Sequence, residues 1–517
     1  MKRARVLVLE DDPHWLKTIH DVLAPVSGCL IGASTISEAH LLLQKHYFNV
    51  AVVDLSLKLG DPKDNQGMQF LEMLERLGLL EAVRCIILSA YGDVGRVRDA
   101  FRKFHVVDFL EKAPFEAENL NNAVCRALAA NYLYQRDLAI NFVDGSSLEQ
   151  LWARFNWTFR EDSGQLTPEF YDLLYRLFNQ AEQLDLSDLP TGQSGAAVLR
   201  VDRYYEARAG TPVVIKIGKR DKIRQEWENY KEFVDNYANA FSSVQLRAVP
   251  GRLMGALSYQ LIGTTLDGVV SFGEYYHQHE VGQVCQALDG LFRETCGRWY
   301  DNREQPRRRR DLIQLYVEGL HLEWDEVWDH ATALGVDLAA ATLQFPGLSG
   351  TFANPKRWLE SRDYALYLPV WRAITHGDLN ENNIRVTDEG RCWLIDFYRT
   401  GWGHILRDVV ELETAIKFNL TPMNSLEEFH AFEAQLLGQT QIGQPVMPSA
   451  SHSHFKPLAV IGHLRGLADP FTGSNQDMLE YNIGLLLTTL NLLRFDFMGE
   501  HHWRILLSAA MLCQHLG

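Results

Sequence analysis

Five short apolar runs, at residues 5–9, 29–33, 50–53, 85–88 and 106–110, punctuate the start of the chain. Each is too short for a helix and mostly β-branched or Leu, the composition of strands buried on both faces. Helical patterns follow each run, at 13–23, 36–44, 68–77, 94–104 and 120–130. A strand that is apolar on both sides must be covered on both sides, which right-handed crossovers achieve. The alternation predicts a doubly wound, parallel, five-stranded sheet over residues 1–130.

In such a sheet the functional crevice lies beyond the carboxyl ends of the strands. Polar residues gather there: Glu10, Asp11 and Asp12 after the first strand, Asp54 at the third, Ser89 at the fourth and Lys112 after the fifth. Any one acidic residue at a strand end could be a simple turn former. Carboxylates from separate strand ends instead suit a hard divalent cation, and Mg²⁺ is expected at Glu10, Asp11 and Asp54. With charge on the incoming oxygens neutralised, the Asp54 carboxylate can attack a phosphoryl donor. Ser89 and Lys112 can then bind the acyl phosphate. Asp54 is the expected phosphoacceptor.

The segments VLVLEDDP, VVDL, ILSAY and DFLEK stand in this order, and with them residues 1–130 resemble the receiver domain of two-component response regulators. The resemblance implies that Phe109 is a switch aromatic coupled to Ser89. It also implies a sensor histidine kinase or another phosphodonor as partner, and a homodimer favoured by phosphorylation. Two departures stand out. The family usually has Lys-Pro after the fifth strand, whereas Ala113 here separates Lys112 from Pro114, so the family's cis peptide is expected to be shifted or absent. The polar loop 57–66 is longer than usual and is expected to cover the acceptor or to meet a partner.

The 517 residues allow about two to four domains at roughly 100–200 residues each. Lys plus Arg number 50 against 66 Asp plus Glu, a formal charge of −16. Residues 1–131 hold 15 basic and 17 acidic side chains, net −2, so −14 falls on the rest. That balance argues against a DNA-binding output. The basic run 307–310 precedes an amphipathic pattern and reads as a solvated helix start or a salt-bridging patch rather than a nucleic-acid site. Seven scattered cysteines without metal-type spacing read as reduced thiols. The chain opens without a cleavable apolar stretch, and no apolar run approaches the ~18 residues of a membrane span. A cytoplasmic protein that binds neither membrane nor DNA is expected.

Residues 131–190 read as a helical, aromatic-rich connector, packed rather than flexible because Gly, Ser and Pro are not enriched. Beyond it the pattern changes. Gly192, Ser194 and Gly195 read as a turn between strands whose backbone N–H groups could face phosphates, although a plain hairpin is the better reading of the turn taken alone. Lys216 ends the branched strand VVIK, where a fixed cation can meet phosphate oxygens. In the helix that follows, 100° steps from Ile223 place Trp227, Tyr230 and Val234 on one buried stripe, Glu226 on its rim and Glu228 opposite. Glu226 is the candidate partner of Lys216. ITHGDLNENNIRV then sets Asp378 and Asn383 five apart, and CWLIDFYRTGWG puts Asp396 after a buried strand. One carboxylate can orient a hydroxyl while Asn383 and Asp396 hold Mg²⁺. His376 is expected to brace the loop.

This ordered set resembles the kinase-like phosphotransferase fold, of the aminoglycoside phosphotransferase and choline kinase type. The resemblance implies a small lobe over 191–263 with a hinge near 259–263, and a helical large lobe over 264–517 with inserted helices that meet the acceptor. It implies that Lys216 binds the phosphates of ATP (or GTP), that Asp378 is the catalytic carboxylate, and that Asn383 and Asp396 ligate Mg²⁺. Gly377 stands where protein kinases carry an arginine that reads an activation-loop phosphate, so control is expected from the fused receiver. The expected function is a receiver-regulated phosphotransferase of unknown acceptor. The alternatives are a pseudokinase scaffold binding nucleotide or a protein, and a protein kinase acting on a partner.

Overall fold

A computed structural model describes residues 4–58, 64–90, 94–131, 138–155, 163–189, 195–206, 208–237, 244–261, 268–304, 309–361, 367–444, 453–471 and 478–517. The apolar runs become β1 (Ala4–Leu9), β2 (Ser27–Ala33), β3 (Val50–Val53), β4 (Arg84–Ser89) and β5 (Asp108–Glu111). The helical patterns become α1 (Pro13–Leu23), α2 (Ile36–Lys45), α3 (Gln66–Arg76), α4 (Val94–Phe104) and α5 (Ala117–Asn131). The strands lie in the order β2-β1-β3-β4-β5, and every pairing is parallel.

Period-two alternation divides each strand between two cores. Leu7 and Leu9 of β1 pack with Leu43, Phe70, Leu74 and Phe104, the side of α2, α3 and α4. Val6 and Val8 pack with Ile19, Leu23, Leu120 and Val124, the side of α1 and α5. Full burial of each such side chain contributes about 1.5–3 kcal/mol. The two-sided apolar strands therefore need both helical layers. The peptide bond Ala113–Pro114 is cis, so the bond has shifted by one residue from the lysine rather than vanished.

Next come β6 (Ala139–Phe142), α6 (Leu148–Arg154), α7 (Ser163–Leu177), β7 (Gln183–Asp188), β8 (Ala197–Tyr205), β9 (Arg208–Ala209), β10 (Val213–Lys219), α8 (Arg220–Asn229), β11 (Val244–Pro250) and β12 (Met254–Leu261). A second sheet runs β11-β12-β10-β8-β7-β6, with β9 against β8. The connector is thus helical at its centre, with a strand on either side that joins this sheet. Its Phe155, Phe170 and Phe178 are buried, with Trp152, Tyr171 and Tyr175 packed against the same core. Trp157 and Phe159 lie outside the described residues.

The chain divides into two compact units, residues 1–225 with 246–260, and residues 226–245 with 261–517. Within the first, the five-stranded domain is stapled to the second sheet and α7 through the loops before β3 and β4. Tyr47 Oη donates to Asp172 of α7, and Arg176 donates to Glu81 O at 3.1 Å and Pro250 O at 2.6 Å. Arg252 donates to the carbonyls of Leu43 (2.8 Å) and Gln44 (2.5 Å), and Arg220 to that of Leu77 (3.0 Å). These loops lie at the amino ends of the strands, the pole opposite Asp54.

The second unit is built on helices. Arg407–Phe418, Phe455–Ala468, Leu479–Leu492 and His502–Leu516 are largely buried. Among the buried charge pairs are Arg465 with Glu413 at 2.6 Å and Lys417 with Glu433 at 2.7 Å. The strand Arg372–Thr375 pairs antiparallel with Gly401–His404, and Ile384–Thr387 forms a hairpin with Cys392–Leu394. Arg309 and Arg310 of the basic run are exposed, and residues 307 and 308 lie outside the described residues. Among the described residues, no helix is long and apolar enough to cross a membrane.

Candidate functional site

The first cluster of chemical groups forms where β1, β3, β4 and β5 end. Glu10, Asp11 and Asp54 each offer a carboxylate oxygen within 4.8 Å of the others. Oxygen donors at this spacing fit a small hard cation. Lys112 Nζ lies 2.6 Å from Glu10 Oε2 and 2.6 Å from Asp54 Oδ2, while Ser89 Oγ donates to Asp54 Oδ1 at 2.6 Å. Burial pushes Glu10 up to about 7, against the pull of the Lys112 ammonium. Phe109 is half-buried on β5, packed against the α2–α4 core. The centre of the polar loop, 59–63, lies outside the described residues; at its edge Asp64 is buried and accepts from Leu57 N at 2.6 Å.

The second cluster lies in the second unit, on the loop between Arg372–Thr375 and Ile384–Thr387. The chain turns at Gly377, whose φ is +78° and where a Cβ would run into the Arg399 carbonyl oxygen. Only glycine adopts this turn without strain. Asn383 Nδ2 donates to the Asp378 carbonyl at 2.8 Å and to Asp378 Oδ2 at 3.2 Å. Its Oδ1 has no donor among the described residues, which fits a cation ligand. Burial raises the Asp378 carboxyl above its ordinary range; the Arg399 guanidinium opposes this, and the Asp396 and Glu411 carboxylates add to it. Asp396 itself has φ +67°, a left-handed conformation for a non-glycine residue. His376 is fully buried, and its Nε2 bonds the Ile395 carbonyl at 3.0 Å, the bracing contact expected of it.

Beneath this loop lie residues that the sequence reading did not single out. Asp408 accepts from the backbone N–H groups of His376 (2.9 Å) and Gly377 (3.0 Å) and from Tyr300 Oη (2.8 Å). Glu411 accepts from Leu379 N at 2.9 Å and from Arg407 Nε at 2.8 Å, and Arg407 donates onward to the Gly377 carbonyl. The available signal was RDVVELE itself, three acidic groups spaced through a run otherwise apolar enough to be buried.

Lys216 is 7% exposed on β10, opposite Val198 of β8 and Leu257 of β12. Gly195 has φ +67°, whereas Gly192 and Ser194 lie outside the described residues, as does the hinge beyond Leu261. Of the expected buried stripe, Tyr230 and Val234 are buried but Trp227 is half-buried, Glu228 is exposed as placed, and Glu226 lies deeper than a rim position implies, at 1% exposure. Its Oε1 accepts from the backbone N–H of Phe397 at 3.1 Å, the residue after Asp396. Asn229, one helical turn on, donates to the carbonyls of Phe397 (3.2 Å) and Tyr398 (2.7 Å).

Residues 183–349 and 338–493 match the family described as ternary complex associated domain 9, and together they span more than half of the chain. The chain belongs to this family. In this member of the ternary complex associated domain 9 family, residues 6–125 also match the response regulator receiver domain. The protein thus joins a receiver domain to a region of the ternary complex associated domain 9 family.

No curated protein matches the chain. The signal receiver domain of an HD domain-containing protein from Pseudomonas fluorescens Pf-5 is 19% identical, with a TM-score of 0.22, and covers 25% of this chain and 96% of its own. The receiver domain of NtrX from Brucella abortus is 22% identical, with a TM-score of 0.21, and covers 24% and 96%. Amicoumacin kinase hAmiN, solved with AMP-PNP, Ca²⁺ and Ami, is 12% identical, with a TM-score of 0.37, and covers 70% and 96%.

Proposed function

We propose that this is a two-component signalling protein in which phosphorylation of Asp54 regulates a Mg-ATP-dependent phosphotransferase. The observation that carries the reading is the Asn383 side chain bonded to Asp378 while its Oδ1 stays available. Asp378 orients an acceptor hydroxyl and takes its proton as the oxygen attacks the terminal phosphorus of ATP. The bond to the bridging oxygen breaks, and its electron pair leaves with ADP. Asn383 and Asp396 hold Mg²⁺, which when bound neutralises phosphate charge. Lys216, Gly192, Ser194 and Gly195 bind the phosphates, and Glu226 places Asp396 through Phe397. In the receiver, Asp54 takes the phosphoryl group from a histidine kinase or a small phosphodonor, and Ser89 and Lys112 bind it.

The family description, association with a ternary complex, favours a second reading in which a receiver-switched scaffold binds nucleotide or a protein without turnover. ATP binding and hydrolysis with Mg²⁺, compared between wild type and Asp396→Ala with and without acetyl phosphate, separate the two. Hydrolysis that is lost in the variant and altered by acetyl phosphate supports the phosphotransferase. A wild-type protein that binds no nucleotide overturns it in favour of the scaffold.

A further inference from the structure

Within the second unit, the helix Leu312–Leu320 ends against the loop that carries Asp378. It closes in a Schellman motif, with His321 N donating to Glu318 O at 3.2 Å and Leu322 N to Val317 O at 2.9 Å. His321 takes the left-handed position, at φ +50°. Glycine adopts it without strain, yet here it carries an exposed side chain. Three successive carbonyls at this helix end are each taken by an arginine from a different element. Arg407 Nη2 binds Gly319 O at 2.9 Å, Arg399 Nη1 binds Leu320 O at 3.3 Å, and Arg494 Nη1 binds His321 O. The same Arg407 nitrogen also donates to the Gly377 carbonyl, so one atom ties the helix end to the residue before Asp378. The approach is close, for a Cβ at Gly319 would stand 2.8 Å from Arg407 Nη1.

The three guanidinium groups differ in what remains to them. Arg407 is paired with Glu411 at 2.8 Å and Arg494 with Glu326 at 2.9 Å. Arg399 forms no ion pair among the described residues, and its Nε and Nη2 have no partner there. It is half-buried, and it is the leading charge that opposes burial at the Asp378 carboxyl. Burial, and then Arg399, Arg407 and Arg494, hold the His321 imidazole below its usual range, with Glu323 acting the other way. The imidazole and the unused guanidinium donors therefore belong to one electropositive corner, joined to Asp378 through the Gly377 turn.

We infer that the phosphoryl acceptor carries an anionic group, a carboxylate or a phosphate, besides its hydroxyl, and that Arg399 and His321 bind this group while Asp378 orients the hydroxyl. This rests on the reading of Asp378 as the residue that orients the acceptor. A planar guanidinium with two N–H directions open matches the paired oxygens of a carboxylate or phosphate. The imidazole adds one N–H, and takes up a proton from solvent as the anion offsets the arginines. A cationic alcohol would meet guanidinium groups on this side and be repelled. A ligand role also accounts for a side chain at a position where glycine would be easier, strain of this kind being characteristic of binding sites.

The test uses the full chain without nucleotide and in EDTA, where no metal can hold a phosphate, with inorganic phosphate as the probe. NMR follows the His321 resonance, assigned by its absence from His321→Gly, across a pH series. Phosphate is expected to raise the His321 pKa saturably. Arg399→Gln should weaken phosphate about tenfold or more, the effect of losing hydrogen bonds to a charged group. Arg399→Lys keeps the charge without the fork and should fall between. His321→Gly should bind phosphate more weakly and yet unfold no more easily than wild type, since glycine relieves the turn. Glycerate and glycerol phosphate, the carboxylate and phosphate forms of such an acceptor, should compete with phosphate, whereas choline should not. Competition by one of them alone names the group, and competition by neither overturns the acceptor class. No saturable shift, a shift that persists in Arg399→Gln, or a shift produced by choline overturns the anion site. If the wild type binds no nucleotide in Mg²⁺, the phosphotransferase reading itself falls, and the acceptor assignment falls with it even where phosphate binds.

Discussion

Asn383 reaches back over five residues and binds Asp378 twice, at the carbonyl (2.8 Å) and at carboxylate Oδ2 (3.2 Å). One side chain thereby fixes the loop's shape and the direction of its carboxylate. Replacing Asn383 by Ala removes both bonds and the Oδ1 lone pairs available to a cation. Phosphotransfer is expected to fall by on the order of 100-fold or more, as for misplacement of a reacting group by about 1 Å. Steady-state rates across a Mg²⁺ series check this, and a variant retaining wild-type turnover would refute it.

Asp408 carries the loop from below, accepting two backbone N–H groups and the Tyr300 hydroxyl. Asparagine cannot serve all three donors, since its amide nitrogen would face one of them. Asp408→Asn should cost roughly 1–3 kcal/mol of stability, read from urea midpoints. Rescue of activity by moderate Mg²⁺ excess is not expected, because the defect lies in loop position and not in the proposed Mg²⁺ ligands Asn383 and Asp396.

Tyr47 and Asp172 bind in the buried junction between the receiver and α7. Removing the hydroxyl in Tyr47→Phe leaves a buried carboxylate short of a donor, an expected loss of about 1–3 kcal/mol in chemical unfolding. Burial holds the Asp172 carboxyl above its usual range, against Arg176, Tyr47 and Asn49. An acid with a raised folded pKa binds protons more readily in the native state, so its contribution is full below the ordinary Asp range and is lost as pH rises through the raised value. Asp172→Asn is therefore expected to flatten the decline of stability in that window. An unchanged pH profile would show that another group titrates.

Glu413 accepts two bonds from Arg465 and one from Tyr481 inside the helical core. Burial works against its charge, yet Arg465 holds the carboxyl below the usual range. Glu413→Ala strands the guanidinium and should cost about 3–5 kcal/mol. Thermal unfolding measures it, and replacing Arg465 and Glu413 together by apolar residues should recover much of the loss.

Local pattern and tertiary placement divide the molecule cleanly. The five strands and five helices of the receiver were legible because two-sided burial leaves a contiguous apolar run in each strand and a 3.6-residue period in each helix. The ends moved by a few residues, as where α3 begins at Gln66 rather than 68, because caps and loop bonds decide ends. β6 and β7 were not legible. AINF and QLDLSD are short and half polar, and their pairing with one another and with β8 makes them strands.

At the site, the order of HGD, Asn383 and Asp396 could be read because a tight loop needs those residues at those intervals. Which atom Glu226 would meet could not. A helical wheel gives the direction of a side chain around one axis, whereas the Phe397 N–H that it accepts lies 171 residues away in sequence. Asp408 was hidden for the same reason, being one acid within a buried helix until the loop above it is in place. Sequence alone determined the elements and the chemical inventory, since periodicity and residue type act within a few turns of chain. The tertiary fold alone decided which backbone amide each buried charge must satisfy, because only packing excludes the water that would otherwise do so.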